Sequence, residues 1–286
     1  MNDDLIGAFD ELPYPICRTL LLGIALAALI GAAVLVAAGC DMPSTGGLGQ
    51  VGGSGILVTT HYDYTGFTNV VVDGGSSVAI DYGDRPDVSV TVDDNLVKEH
   101  LKVELDGDTL HIGLAPLWRY HDVTLRARVV MPRLTGLDAS GASTVVVTKF
   151  GSGDPLQLKS SGASEVHLVL QRLGVVTLDV SGAGRVDGGA RMEELAGSVS
   201  GAGEIALTGA ARALKLDASG GSTLELAGLA VGDADLTLTG GTDAKVLVTG
   251  TLDVSASGGS RLWYSGDPKL GKIDVSGGAE VKPAAN

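Results

Sequence analysis

A Ser-Gly or Thr-Gly pair returns every 18 to 21 residues along the second half of this chain, and no other feature constrains its fold as tightly. It stands in LDASGAS, LKSSGAS, LDVSGAG, SVSGAG, LDASGGS, LTLTGGT, VSASGGS and IDVSGGA, anchored at Ser140, Ser161, Ser181, Ser200, Ser219, Thr239, Ser257 and Ser276. Each anchor is followed by glycine: Gly141, Gly162, Gly182, Gly201, Gly220, Gly240, Gly258 and Gly277. A period near 19 to 20 residues with strand-type alternation is the mark of a β-solenoid, in which each repeat is one coil stacked on the last.

The alternation says which side chains face inward. Leu137, Leu158, Leu178, Leu216 and Leu236 stand three residues before their anchors, while Val145 and Val147, Val166 and Leu168, or Ile205 and Leu207 follow at five and seven. Each coil is therefore expected to hold two strands joined at a Gly-rich corner, where a missing Cβ permits the bend and the anchor hydroxyl bonds to backbone. Aromatic residues make up 4% of the chain against 43 glycines, so the core has to be thin layers of Val, Leu, Ile and Ala.

Polar positions support the stacking. The fourth residue after each anchor gives Glu165, Arg185, Glu204 in one run and Asp243, Arg261, Glu280 in another, an alternation of sign suited to ladders between adjacent coils. Upstream, VDGGSSVAI places Asp73 in the anchor position, so the coil begins near Phe67. Between there and Ser140 the rhythm is disturbed, and DVSVTV, HLKVELDGDTLHIGL and DVTLRARVVM predict a wider, partly antiparallel region that caps the solenoid.

The N-terminus reads as a targeting segment. An uncharged run from Thr19 to Ala38, ending Ala37-Ala38-Gly39-Cys40, is similar to the signal peptide and lipobox of bacterial lipoproteins, with Cys40 the lipidated residue. The acidic leader and the length of the run leave open an uncleaved membrane anchor. The expected division is a signal peptide over 1–40, a Gly/Ser-rich linker over 41–55 spanning roughly 20 Å, and an all-β solenoid domain over 56–286. Cleavage before Cys40 would leave the exported domain without a free cysteine or disulfide.

FTNVVVDGGSSVAIDYGD, the iterated LDxSGA motifs and the closing WYSGDPKLGKIDVSGGAEVK together resemble the bacterial family called putative auto-transporter adhesin, head GIN domain. The resemblance covers about Phe67 to Lys282. It implies an exported, often lipid-anchored, right-handed single-stranded β-helix with adhesion as its role and no enzymatic activity, and it brings no site residues. A related adhesin-like domain of envelope-stress operons keeps a structural or sensory envelope role open.

Little chemistry is expected. A formal charge of −14 opposes nucleic acid. Asp138, Asp179, Asp217 and Asp274 recur at one repeat position, as the acids of a β-helix carbohydrate-active enzyme would, but recurrence at a repeat position is how scaffold residues behave. The five histidines are dispersed, and neither metal nor cofactor is expected. The exception is Trp118-Arg119-Tyr120-His121, which concentrates two aromatics, a cation and an imidazole in a chain poor in all of them. Such residues either cover the solenoid's open end or contact a glycan or protein, and Trp263 is a weaker companion. Exposed solenoid ends also make self-association a hazard.

Overall fold

The computed structural model describes residues 49–151 and 153–284. The expected signal or anchor helix, with Cys40, lies outside the described residues. Among the described residues no helix is long and apolar enough to cross a membrane.

The chain forms a right-handed all-β solenoid. Its first part comprises β1 (Gln50–Gly52), β2 (Leu57–Tyr62), β3 (Asn69–Val72), β4 (Ser77–Tyr82), β5 (Asp87–Asp93), β6 (Leu101–Asp106), β7 (Thr109–Leu114), β8 (Arg119–His121) and β9 (Leu125–Met131). The regular coils follow as β10 (Gly136–Ala139), β11 (Thr144–Thr148), β12 (Leu156–Ser160), β13 (Glu165–Val180), β14 (Arg185–Val199), β15 (Glu204–Ala218) and β16 (Thr223–Leu238). They finish with β17 (Asp243–Val248), β18 (Thr251–Ala256), β19 (Arg261–Ser265), β20 (Lys269–Val275) and β21 (Glu280–Pro283).

Parallel pairing runs in the register the repeat dictates. Leu137 stands beside Leu158, Leu158 beside Leu178, and Leu216 beside Leu236, while Val145, Val166, Val186, Ile205 and Leu224 form the facing column. These side chains are buried, so every coil covers the apolar layer of its neighbours. Outside, Arg185 pairs with Glu204 at 2.5 Å, and Arg261 donates two hydrogen bonds to Asp243 at 2.8 and 2.9 Å. Each expected ladder thus holds one ion pair, with Glu165 and Glu280 in register beside the same arginines, and His167 also bonds Asp187 in register.

The corners show what the glycines are for. Gly162, Gly182, Gly201, Gly220, Gly240 and Gly258 all have φ between 69° and 77°, and a Cβ on any of them would lie 2.6 to 2.8 Å from the carbonyl oxygen of the glycine one coil below. The following N–H donates to that same carbonyl, as in Ala202 to Gly182 and Gly221 to Gly201, both at 2.7 Å. The serine hydroxyl that closes the corner differs from the expected one. Ser76, Ser143, Ser222, Thr242 and Ser260 lie three residues after their anchors, are buried, and donate to the anchor carbonyls at 2.5 to 2.9 Å. The anchor side chains lie further out, leaving the inner hydroxyl to satisfy a carbonyl that the tight turn would strand.

The far side of each coil is also unlike the expected second strand and corner. β13 to β16 are continuous strands of 15 or 16 residues, with register shifts in the β13–β14 and β15–β16 pairings, such as that between Val169 and Arg172. They therefore add a third parallel ladder, with Leu173, Met192, Ala211 and Val231 facing inward.

Antiparallel pairs β2–β5, β5–β9 and β6–β7 form the cap. Spatial and chain order differ here: β3 and β4 pair on one side with β7 and β9, and on the other with β10 and β11. The first coil is consequently enclosed by later ones. Three residues of the segment read as linker, Gln50–Gly52, form β1 and pair with β8.

Candidate functional site

Trp118, Tyr120 and the strands around them build a groove of about 590 Å³ in the cap. Strand β8 places alternate side chains on opposite faces. Trp118 and Tyr120 line the groove, and neither Arg119 nor His121 does. Of the four residues that the sequence singles out, the strand thus brings two together and sends two elsewhere. His121 lies against Gly52 across the β1–β8 pair, where an added Cβ would come within 2.8 Å of the imidazole.

The aromatic wall is held from behind. Buried His100 meets Trp118 edge-on with centroids 4.7 Å apart, and Tyr120 at 5.8 Å. The Tyr120 hydroxyl donates to the Ala115 carbonyl at 2.8 Å and lies 3.3 Å from His100 Nδ1. Burial, followed by the nearby Asp73 carboxylate, raises the Tyr120 pKa above its ordinary value, so the phenol remains a neutral hydrogen-bonding group. Trp118 keeps 43% of its surface exposed, with Gly49 packed against its six-membered ring.

Lys102, Glu104, Asp106 and His111 line the same groove. The first three alternate along edge strand β6 with half-buried Leu101, Val103 and Leu105, so all three point outward. Asp73, in the anchor position as expected, accepts from the Leu114 N–H at 3.2 Å and fills the space above Gly113. The sequence signal for this lining is the charge alternation in LKVELD, which reads equally as an ordinary solvated hairpin face.

Elsewhere the geometry offers little for catalysis. Asp179 and Asp217 flank a shallow depression of about 380 Å³, but both are exposed, and the coil carrying Ser198 stands between them. A carboxylate meant to move a proton at neutral pH is usually buried to raise its pKa. The corner serines and glycines are spread over successive coils, where the glycines permit the tight turn and the anchor serine carbonyls accept hydrogen bonds. Among the described residues no cluster of His, Cys, Asp or Glu could hold a metal ion.

A capped, right-handed β-solenoid with a cleft built into its cap defines the structural class. The chain belongs to the family described as putative auto-transporter adhesin, head GIN domain, which it matches over residues 66–268. Among solved structures it is similar to a Parabacteroides distasonis protein described as a putative lipid binding protein, at 18% identity and a TM-score of 0.75, covering 82% of this chain and 100% of that one. A putative adhesin of the same species gives 21% identity, a TM-score of 0.73 and coverage of 82% and 99%. One from Parabacteroides merdae gives 20%, 0.69, and coverage of 83% and 100%. The comparison with curated proteins finds no match.

Proposed function

We propose that this chain is a non-enzymatic cell-envelope lipoprotein whose solenoid displays a carbohydrate-binding groove. The observation that carries the reading is one groove lined by Trp118 and Tyr120 together with Lys102, Glu104 and Asp106. An aromatic plane stacks on the apolar face of a sugar ring, while charged and hydroxyl groups opposite it bond the ring's hydroxyls. Two similar solved proteins described as adhesins and one described as lipid binding support binding rather than turnover. Dense display on a membrane would add avidity to each weak contact.

The test is a calorimetric titration of the detergent-solubilised protein with oligosaccharides prepared from bacterial envelope and host-surface glycans. Replacing Trp118 with Ala is expected to weaken binding roughly tenfold or more, the size usual for a central aromatic contact. Trp263, over whose ring Arg261 lies at 5.6 Å, serves as the control, and Trp263→Ala is expected to bind normally. Unchanged affinity in Trp118→Ala would remove the groove from the reading. Failure of every glycan to bind would favour a structural envelope component.

Anchoring is a separate part of the proposal, supported by the lipobox-like Ala37-Ala38-Gly39-Cys40. Intact mass is expected to show a protein that begins at Cys40 and carries acyl chains, both lost in Cys40→Ala. Retention of residues 1 to 39 in both proteins would establish an uncleaved anchor instead.

A further inference from the structure

The third ladder departs from the alternation of charge seen at Glu165–Arg185–Glu204 and Asp243–Arg261–Glu280. Arg172 stands directly beside Arg191 in register, the only cation-on-cation pair in the described ladders, and like charges in that position repel. One acidic counterpart, Asp235 beside Asp253, is relieved because the Asp253 carboxylate accepts the Lys272 N–H at 2.6 Å. The Arg172–Arg191 pair has no such relief, since the column continues into Ala210 and the nearest acidic neighbour in register, Glu193, stands beside Arg212. Among the described residues no carboxylate lies within ion-pairing distance of Arg172, Arg191 or Arg212, although Asp and Glu outnumber Lys and Arg by 34 to 20.

These three exposed arginines surround a depression of about 370 Å³ that Met192 and Glu193 complete. The ladder column of Arg172 and Arg191 continues into Ala210 and Ala230, whose small side chains leave the space open. Arg172 and Arg191 stand roughly 4.8 Å apart along the stack, and Arg212, two residues along the strand from Ala210 and next to Glu193 in register, borders the same depression, so their guanidinium groups can share one tetrahedral anion through N–H donors.

We propose that Arg172, Arg191 and Arg212 form an anion site for the phosphodiester group of an envelope component. The groove in the cap does not contribute to it, so either site can fail without the other. The phosphodiester could come from a soluble glycerol-phosphate polymer or from a phospholipid headgroup, and two probes separate these sources. The full chain in neutral detergent is titrated calorimetrically with poly(glycerol phosphate), and separately with mixed micelles of phosphatidylglycerol, using phosphatidylcholine as reference.

At least one probe is expected to bind, with affinity falling as salt rises, and binding to either supports the site while naming its source. The double variant Arg172→Gln/Arg191→Gln is expected to bind roughly tenfold or more weakly, as the loss of charge-assisted bonds requires. A charge-matched control, Arg85→Gln/Lys98→Gln, removes two exposed cations outside the depression and is expected to leave affinity unchanged. Relief of repulsion should leave the unfolding midpoint of the double variant equal to or above that of the parent. The proposal is overturned by silence from both probes, by parental affinity in the double variant, by equal weakening in the control, or by a lowered midpoint that marks the arginines as structural.

Discussion

Gly201→Ala is expected to cost about 3 kcal/mol or more, although it adds a single methyl group at a solvent-facing corner. Two penalties combine. Gly201 has φ of 74°, where an L side chain is strained by roughly 1 to 2 kcal/mol. The new Cβ would also sit 2.8 Å from the Gly182 carbonyl oxygen, so the coils would have to separate. Separation disturbs the Ala202 N–H bond to that oxygen, and with it the Gly221 bond to Gly201 above. Gly75→Ala isolates the first penalty, because Gly75 has φ of 74° but nothing within 4 Å of its added Cβ. Thermal unfolding followed by circular dichroism is expected to show a fall of roughly 10 °C for Gly201→Ala and a few degrees for Gly75→Ala. Equal falls would mean that backbone conformation alone, not stacking, selects glycine.

That contrast explains why so much of the fold was legible in the sequence. Inward columns, corner glycines and outer charge ladders repeat because each coil solves the same packing problem, and eight solutions aligned on one another expose the rule. Information ran out where the repeat stopped. Spacing gave no sign that β3 and β4 would be enclosed between β7–β9 and β10–β11, since that order depends on long-range pairing rather than local pattern. The closing hydroxyl is less legible for a related reason: its column, Ser143, Ser164, Ser222, Thr242 and Ser260, is interrupted by Gly184 and Gly203 and so is less regular than the anchors. At Gly184 a Cβ would meet the Ser160 carbonyl and hydroxyl oxygens at 2.8 Å, which accounts for the exception.

The groove was half legible. Composition drew attention to Trp118 and Tyr120, but strand alternation, visible only once β8 is known to be a strand, separates them from Arg119 and His121. Buried His100 was invisible as a support because its contacts arise from packing across the cap.

Asp93→Ala is the second substitution with a large expected effect, and it tests what keeps that cap assembled. Asp93 is 1% exposed, and its carboxylate accepts from the Gly55 and Thr124 N–H groups, each at 2.7 Å. One of these lies just before β2 and the other just before β9, so a single side chain ties the entering segment to the end of the β8 loop. Neighbouring Asn95 reinforces the tie by accepting from the Ser54 N–H and donating to the Gly52 carbonyl. Alanine would remove two charge-assisted bonds and leave a cavity over Gly53, an expected loss of about 3 kcal/mol. Asparagine is expected to recover at most half, because its amide presents one acceptor where two N–H groups need partners. Hydrogen exchange should quicken at Gly55 and Thr124 before it changes in the coils from β12 onward, since solenoid contacts are made only between neighbours. Glycan affinity should fall together with this local protection, because β1 holds β8, and β8 carries Tyr120 at the groove. Uniform loss of protection along the solenoid would instead show that cap and coils unfold as one unit.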